Sequence, residues 1–420
     1  MQEFLERVAA EWPIAFPDIP WTNKPLLFKI PSTLRYIKIE LQEENWLHLD
    51  CIELFAIPEQ GGKFTRIQTL DASVTMSSCY RQTPHLASGE KFLKQHNHYG
   101  IHTEFESNPW IIIDLGSETR VDVVKLFNRA DTYADRAKTI RISISADRYN
   151  WNEIYNAVRR RAELLSWLTN IYDNTIDSPS GVDLQRFLKF TDALILRNIK
   201  ECNSWIAELS PNAERLKHLN RIASLYSLEI TTHGLRTSFR FWNDGQKRDY
   251  IRFCNQLITH LRDLSDLTTY GFGFVLGIVR DGDFIPHDDD IDILLVFRRS
   301  QIDTLSKGLQ ILEDHLRTRK YLVEGSFISH RWVRRDQWQA DVFIGIIEDD
   351  DEAVSIFPSA RRLHKKGDIF PCSRLDFLGE EILIPCNALK YVEKTYGKLW
   401  RTPNNLFSHP WDVPSYNDIL

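Results

Sequence analysis

No two of the six cysteines in this 420-residue chain stand in a C-x-x-C pair. Cys51, Cys79, Cys202, Cys254, Cys372 and Cys386 are scattered, which argues against a zinc ribbon or a thioredoxin-type motif. Free thiols in a reducing compartment fit that spacing. No apolar run approaches the ~20 residues that span a bilayer. The opening residues, MQEFLERVAAEWPIAF, carry acids early and Pro13 soon after, so the basic-then-apolar layout of a secretory signal is missing. Basic charge is not in excess either. Lys and Arg total 52 against 58 Asp and Glu, a net charge of −6, and no general attraction to nucleic acid or anionic membrane follows. There is no low-complexity tract and no repeat. The expectation is a cytoplasmic protein with no nucleic-acid partner and no transmembrane segment, peripheral membrane association being left open.

What is present is an ordinary globular composition, 43% hydrophobic and 26% charged, with aromatics somewhat rich at 12%. The length suits two or three domains. After an N-terminal segment, 1–25, residues 26–158 show short alternating or apolar runs such as LRYIKIEL, WIIIDLG and TIRISISAD, which predict a β sandwich or jelly roll. Residues 159–265 read as helical. In DLQRFLKFTDALILRNIKECNSWIAEL apolar residues recur three and four apart, with Asp183 as a candidate N-cap. DNTIDSPSG, 173–181, is a loop by composition. From 266 to 420 strand-like and helix-like segments alternate, which predicts an α/β or α+β domain.

FIPHDDDIDILLVF, 284–297, places four aspartates inside five positions and then enters an apolar strand. The run EDDDE at 348–352 lacks that alternation and reads as a solvated loop. In an extended chain residues two apart share a face, so Asp288, Asp290 and Asp292 would point together. Two charges about 5 Å apart cost roughly 3 kcal/mol at an effective dielectric near 20, so three close pairs cost on the order of 10 kcal/mol. A divalent cation removes that cost. Mg²⁺ or Mn²⁺ takes hard oxygen ligands, and Mg²⁺ binds through a few carboxylates plus phosphates and water. An EF-hand needs Gly at the sixth position and a carboxylate at the twelfth, where this chain has Ile293 and Arg299. D-x-D beside a strand, after a glycine-bearing turn, is the layout of the nucleotidyltransferase fold, which takes a further carboxylate from a later strand. QADVFIGII, 339–347, offers Asp341. The G-x-G-x-x-x-G spacing of GFGFVLG, 271–277, does not suit a dinucleotide site.

LGIVRDGDFIPHDDDIDILL, 276–295, closely resembles the signature of LicD/fukutin-type phosphotransferases. ADVFIG resembles that family's later Asp strand, and FLGEEILIPCNALKYVEKTYGKLWRTP, 377–403, its closing segment. The family transfers a phosphorylated alcohol, such as phosphocholine or a polyol phosphate, from a CDP-linked donor onto a glycan. By resemblance, Asp288, Asp290, Asp292 and Asp341 match the catalytic, metal-binding carboxylates. Gly273, Gly277, Arg280 and His287 fall on the donor side, with a structural ion pair to the acidic cluster as the other reading of Arg280. Two departures stand out: Phe274 occupies the place of a Ser or Thr, and His287 that of a Trp.

Upstream, DASVTMSSCY, FESNPWIIIDLG and VVKLFNRADTYADRAKTIRISISAD resemble the discoidin domain of coagulation factors, an eight-stranded jelly roll whose loops often bind sugars or lipid headgroups. LRYIKIELQEENWLHLDCIELF, 34–55, resembles the last strands of that domain yet comes first, which predicts a circularly permuted jelly roll; a leftover fragment of a second domain is the alternative. Tyr80, His85, His96, His98, Tyr99 and His102 are candidates for a sugar platform, against their reading as ordinary surface residues. Arg129 and Arg136 are expected to tie strands and loops together. The implied activity is metal-dependent transfer from a CDP-linked alcohol to a glycan or glycolipid acceptor, with Mg²⁺ or Mn²⁺ as cofactor. A glycan-binding scaffold with a degenerate transferase domain is the competing expectation; nucleotidyl transfer onto RNA or a small molecule sits poorly with the net acidity.

Overall fold

The computed structural model describes residues 1–19, 21, 25–58, 63–68, 71–82, 89–94, 100–129, 133–176, 181–209, 212–231, 233–348, 352–403 and 407–420. The chain divides into two units, Met1–Arg236 and Thr237–Leu420.

The first unit opens with α1 (Gln2–Ala15), whose buried residues Phe4, Leu5, Val8, Ala9 and Trp12 form one stripe at helical spacing. The sheet that follows contains β1 (Leu26–Leu41), β2 (His48–Ala56), β3 (Ser73–Met76), β4 (Trp110–Asn128), β5 (Ile140–Ser145) and β6 (Asn152–Asn156). Its order is β6-β5-β1-β4-β2, continued by Thr65–Arg66, with β3 also on β4. The first strand in sequence therefore lies between two strands from much later in the chain. β1 and β4 pair along most of their lengths, from Leu26↔Leu126 to Glu40↔Trp110, with register breaks between Lys29 and Ser32 and between Leu34 and Tyr36. One end of this ribbon takes β5 as neighbour at Tyr36–Leu41. The other end takes β2 at Val123–Asn128. Side chains from both ends, including Leu26, Ile37, Ile39, Leu54, Ile111 and Leu126, fill one core.

Next come α2 (Ala157–Thr175), α3 (Gly181–Ile195), α4 (Ile199–Leu209) and α5 (Ala213–Ser224). These helices and α1 share a second core around Phe4, Trp12, Phe187, Phe190 and Tyr226. The segment expected as one helix from Asp183 to Leu209 is two. Arg197 turns left-handed at φ 52°, and the Asn198 side chain accepts from the Glu201 N–H, starting a new helix there. Asp183 lies in the first turn of α3 rather than at its cap. Asp173–Thr175, expected in a loop, close α2. The expected helical region also ends in a hairpin, Glu229–Thr231 with Gly234–Arg236, and the residues from Thr237 onward belong to the second unit.

The second unit begins with α6 (Asp244–Leu261), started by a capping box in which Asn243 and Gln246 each accept from the other's N–H. After it come β7 (Thr268–Tyr270), α7 (Phe272–Asp281), β8 (Asp292–Arg298), α8 (Leu305–Thr318), β9 (Leu322–Glu324), β10 (His330–Arg335), β11 (Trp338–Glu348), β12 (Ala353–Ile356) and α9 (Ala388–Tyr396). The mixed sheet runs β7-β8-β11-β10-β9, with β12 also on β11. Among the described residues of this sheet only the β8–β11 pair is parallel. Both of these strands are buried along their length, as interior parallel strands require. Glu348, expected in a solvated acidic loop, is instead buried at the end of β11, where Arg361 and Arg362 pair with it. Asp349, Asp350 and Asp351 lie outside the described residues.

Candidate active site

The aspartates are delivered by the parallel pair β8 and β11. Asp292 opens β8 and stands in register with Asp341 on β11, and the Asp341 N–H donates to the Ile291 carbonyl at 3.0 Å. Asp290 lies just ahead of the strand. One carboxylate oxygen from each of Asp290, Asp292 and Asp341 lies within 4.8 Å of the other two. The strand begins later than the alternation predicts: Pro286 and His287 form a turn closed by the Asp288 N–H on the Ile285 carbonyl, 3.0 Å, and regular pairing starts only at Asp292. Backbone bonds from Phe239 to the Asp288 carbonyl and from Arg240 to the Pro286 carbonyl, both 2.8 Å, hold this turn in place. Tyr250 of α6 ties the two acidic segments together: its buried hydroxyl accepts from the Ile291 N–H at 3.1 Å and donates to the Gln339 carbonyl.

α7 starts against the same group. The Gly271 N–H donates to the Asp292 carbonyl at 2.9 Å, and the Gly273 N–H to Asp292 Oδ2 at 3.3 Å. The partial positive charge of the helix start thus faces carboxylates. A Cβ at Gly273 would lie 2.7 Å from Asp288 Oδ2, so only glycine allows that approach. Phe272, between the two glycines, adopts φ 36°. Its N–H donates to the buried Tyr391 hydroxyl at 3.1 Å, and its ring packs on Phe343 and His409, both at 4.9 Å. Burial, reinforced by Asp290, Asp292 and Asp289, pushes the Asp288 carboxyl well above the ordinary carboxylate range.

The remaining candidates sort differently. Gly277 is buried in mid-helix, where a Cβ would meet the Asp283 carbonyl at 2.5 Å; it lets α7 pack on the 283–285 turn. Arg280 donates to both oxygens of Asp281, at 2.8 to 3.1 Å. His287 sits half-buried at the turn. Phe274 is buried in an aromatic cluster with Tyr270, Phe284 and Phe377, centroids 4.6, 5.4 and 6.4 Å away. Its departure from Ser or Thr is therefore accounted for by packing. Sequence reasoning did not find Tyr250, Tyr391 or His330, whose Nε2 is 3.4 Å from Asp341 Oδ2. A signal existed for His330: Arg335 pairs with Trp338 across the two-residue turn Asp336–Gln337, which sets Trp332 opposite Asp341 and His330 opposite Phe343.

In the front unit Tyr80 and His102 do come together, ring centroids 4.3 Å apart, and the His48 ring centroid lies 4.0 Å from that of His102. His102 is buried, with Nδ1 2.7 Å from the Thr103 carbonyl, and burial lowers its pKa. Arg129 is hydrogen-bonded to His48 and lies over the Tyr133 ring. Arg136 lies over Trp46 and Tyr133, at 4.5 and 4.6 Å. Both arginines thus join separate segments of the unit. His85, His96, His98 and Tyr99 lie outside the described residues.

Among the described residues no helix is long and apolar enough to cross a membrane. No curated protein matches the chain. Among solved structures, that of ANT(2″)-Ia in complex with adenylyl-2″-tobramycin is similar over 39% of this chain and 85% of that chain, at 14% identity and a TM-score of 0.24. Residues 97–172 match the family model described as NedA-like, galactose-binding domain. Residues 271–387, which hold every carboxylate of the site, match the model described as LicD/FKTN/FKRP, nucleotidyltransferase domain. The chain is thus multidomain, with a mostly sheet segment that matches the galactose-binding domain model ahead of a segment that matches the LicD-type nucleotidyltransferase domain model.

Proposed function

We propose that the second unit is a nucleotidyltransferase-fold phosphotransferase that moves a phosphorylated alcohol, phosphocholine or a polyol phosphate, from a CDP-linked donor to a cell-surface glycan or its precursor in the cytoplasm. The observation that carries this reading is the convergence of Asp290, Asp292 and Asp341 oxygens within 4.8 Å. That set fits Mg²⁺ or Mn²⁺. Octahedral bonds of about 2.0–2.1 Å separate ligand oxygens by roughly 3 to 4 Å, which small side-chain rotations reach from here. Hard oxygen donors alone also favour such an ion over zinc. When bound, the ion supplies charge neutralisation for the donor diphosphate.

The chain's own groups do the rest. The Gly273 N–H holds the Asp292 carboxylate at the start of α7, whose partial positive charge favours the donor's anionic phosphates. Tyr250 fixes the spacing of the two acidic segments. The acceptor hydroxyl attacks the alcohol-side phosphorus, its proton passes to a carboxylate of the cluster, and the phosphorus–oxygen bond to CMP breaks with the electron pair leaving on CMP. Arg280, paired with Asp281, serves the frame of α7 in this reading. The front unit, read as a permuted jelly roll because β1 inserts between β4 and β5, holds the glycan around Tyr80 and His102. Tethering raises the local concentration of acceptor ends to about 1 mM for a short connection.

The test is to incubate purified protein with CDP-choline, CDP-glycerol and CDP-ribitol plus candidate glycans, with and without Mg²⁺ or Mn²⁺. Metal-dependent transfer with one pairing is expected. Absence of transfer in all pairings, together with no metal-dependent binding of CDP by calorimetry, discards the reading. Glycan binding that survives Asp290→Ala while metal and nucleotide binding were never present would favour a scaffold.

A further inference from the structure

His330 lies on β10, one strand over from Asp341, and is 8% exposed. Its two nitrogens have different partners: Nε2 is 3.4 Å from Asp341 Oδ2, and Nδ1 is 2.6 Å from Ser329 Oγ. An ionised carboxylate only accepts, whereas a hydroxyl can donate, so the pair of partners selects the tautomer with its proton on Nε2. The ring cannot turn easily. Phe327 stacks on it at 4.5 Å and 10° between planes, and Phe343 packs at 4.6 Å on β11. Ser329 is also buried, and its carbonyl accepts from the Ile344 N–H at 3.2 Å. The Ser329 contact and the two flanking rings therefore keep Nε2 of His330 beside one carboxylate.

We infer that His330 is a positioning residue for the divalent-cation site: it holds the Asp341 carboxylate turned toward Asp290 and Asp292. The inference rests on the metal reading of those three carboxylates. Asp292 receives the Gly273 N–H, while Asp341 comes from the far strand and is oriented through its neighbour on β10. Groups that orient a ligating carboxylate from behind contribute about 10- to 100-fold to metal affinity or activity.

The experiment is a Mn²⁺ titration of the full-length protein, followed by loss of the free-ion paramagnetic resonance signal. Three substitutions separate donor from packing. His330→Phe keeps a flat ring against Phe327 and Phe343 but has no N–H. His330→Gln can place an amide N–H where Nε2 stands, and His330→Asn only near Nδ1. Binding about 10- to 100-fold weaker in the Phe and Asn variants, with recovery toward wild type in the Gln variant, is expected. Wild-type affinity in His330→Phe and His330→Asn overturns the inference while leaving the metal site intact. If those variants do not melt cooperatively, Ser329→Ala, which releases the tautomer, decides: weakened binding supports the assignment and unchanged binding overturns it. A wild-type protein that takes up no Mn²⁺ removes the metal reading itself, and this inference with it.

Discussion

Gly273→Ala is the smallest change that should separate activity from stability. The added carbon would lie 2.7 Å from Asp288 Oδ2 and 3.8 Å from Asp292 Oδ2. Ordinary contact begins at about 3.4 Å, so the Asp288 carboxylate must retreat by about 0.7 Å. Its backbone cannot follow, because the Asp288 N–H is bonded to the Ile285 carbonyl and its own carbonyl to the Phe239 N–H. The side chain has to rotate, giving up the bond from the Asp289 N–H at 3.1 Å, a loss of about 1 kcal/mol. Alanine offsets this by up to about 1 kcal/mol through its higher helix propensity. The melting temperature should accordingly stay within about 4 °C of wild type. Catalysis is less forgiving, since a misplacement near 1 Å can cost about 10²-fold. A 10- to 100-fold fall in kcat/KM, on the order expected from such misplacement, should appear in a CDP-alcohol transfer assay on a protein that melts normally. Full activity with an unchanged melting curve would refute the idea that Asp288 is held where the chemistry needs it.

Tyr250→Phe should lower stability without touching a carboxylate: it leaves the buried Ile291 N–H unsatisfied, a cost of about 1–3 kcal/mol, read by thermal denaturation. Asp341→Asn should abolish Mn²⁺ uptake in calorimetry, whereas Tyr80→Ala should leave it unchanged and weaken glycan binding on an array. Burial, with Lys394 nearby, holds His364 at a pKa of about 4, against about 6.5 in an unfolded chain. The unfolded state thus takes the proton first, so this contribution is intact above about pH 6.5 and is lost, by about 3 kcal/mol, as pH falls toward 4. Denaturant melts of wild type and His364→Gln across that range should show a shallower acid slope in the variant.

Much of the site was legible because its chemistry is crowded into local sequence. The D-x-D spacing announced Asp290 and Asp292, and an Asp opening an apolar run announced Asp341, whereas Asp288, expected to point with them, does not join that close group. Their meeting is a parallel register between distant strands, which period-two alternation cannot specify. Phe274 shows the opposite limit. Its identity was puzzling at the level of motif and is ordinary once Tyr270, Phe284 and Phe377 surround it. Tyr250 was invisible because nothing in a helical stripe distinguishes a tyrosine that packs from one whose hydroxyl spans two backbone segments. In the front unit the alternation of β1 and β4 was plain, but the register breaks that let one ribbon serve two sets of neighbours were not.

The side-by-side placement of Asp292 and Asp341 has an evolutionary corollary. Because the two strands meet in parallel, the connection between them is an excursion whose loops can lengthen or shorten without moving either carboxylate, so long as β10 still sets His330 beside Asp341. A single-residue deletion inside Ile293–Arg298 is another matter: it would swing the following side chains to the reverse face of the sheet. Variation among distant cousins of this chain should therefore gather in those loops, leaving the two strands and β10 constant in length.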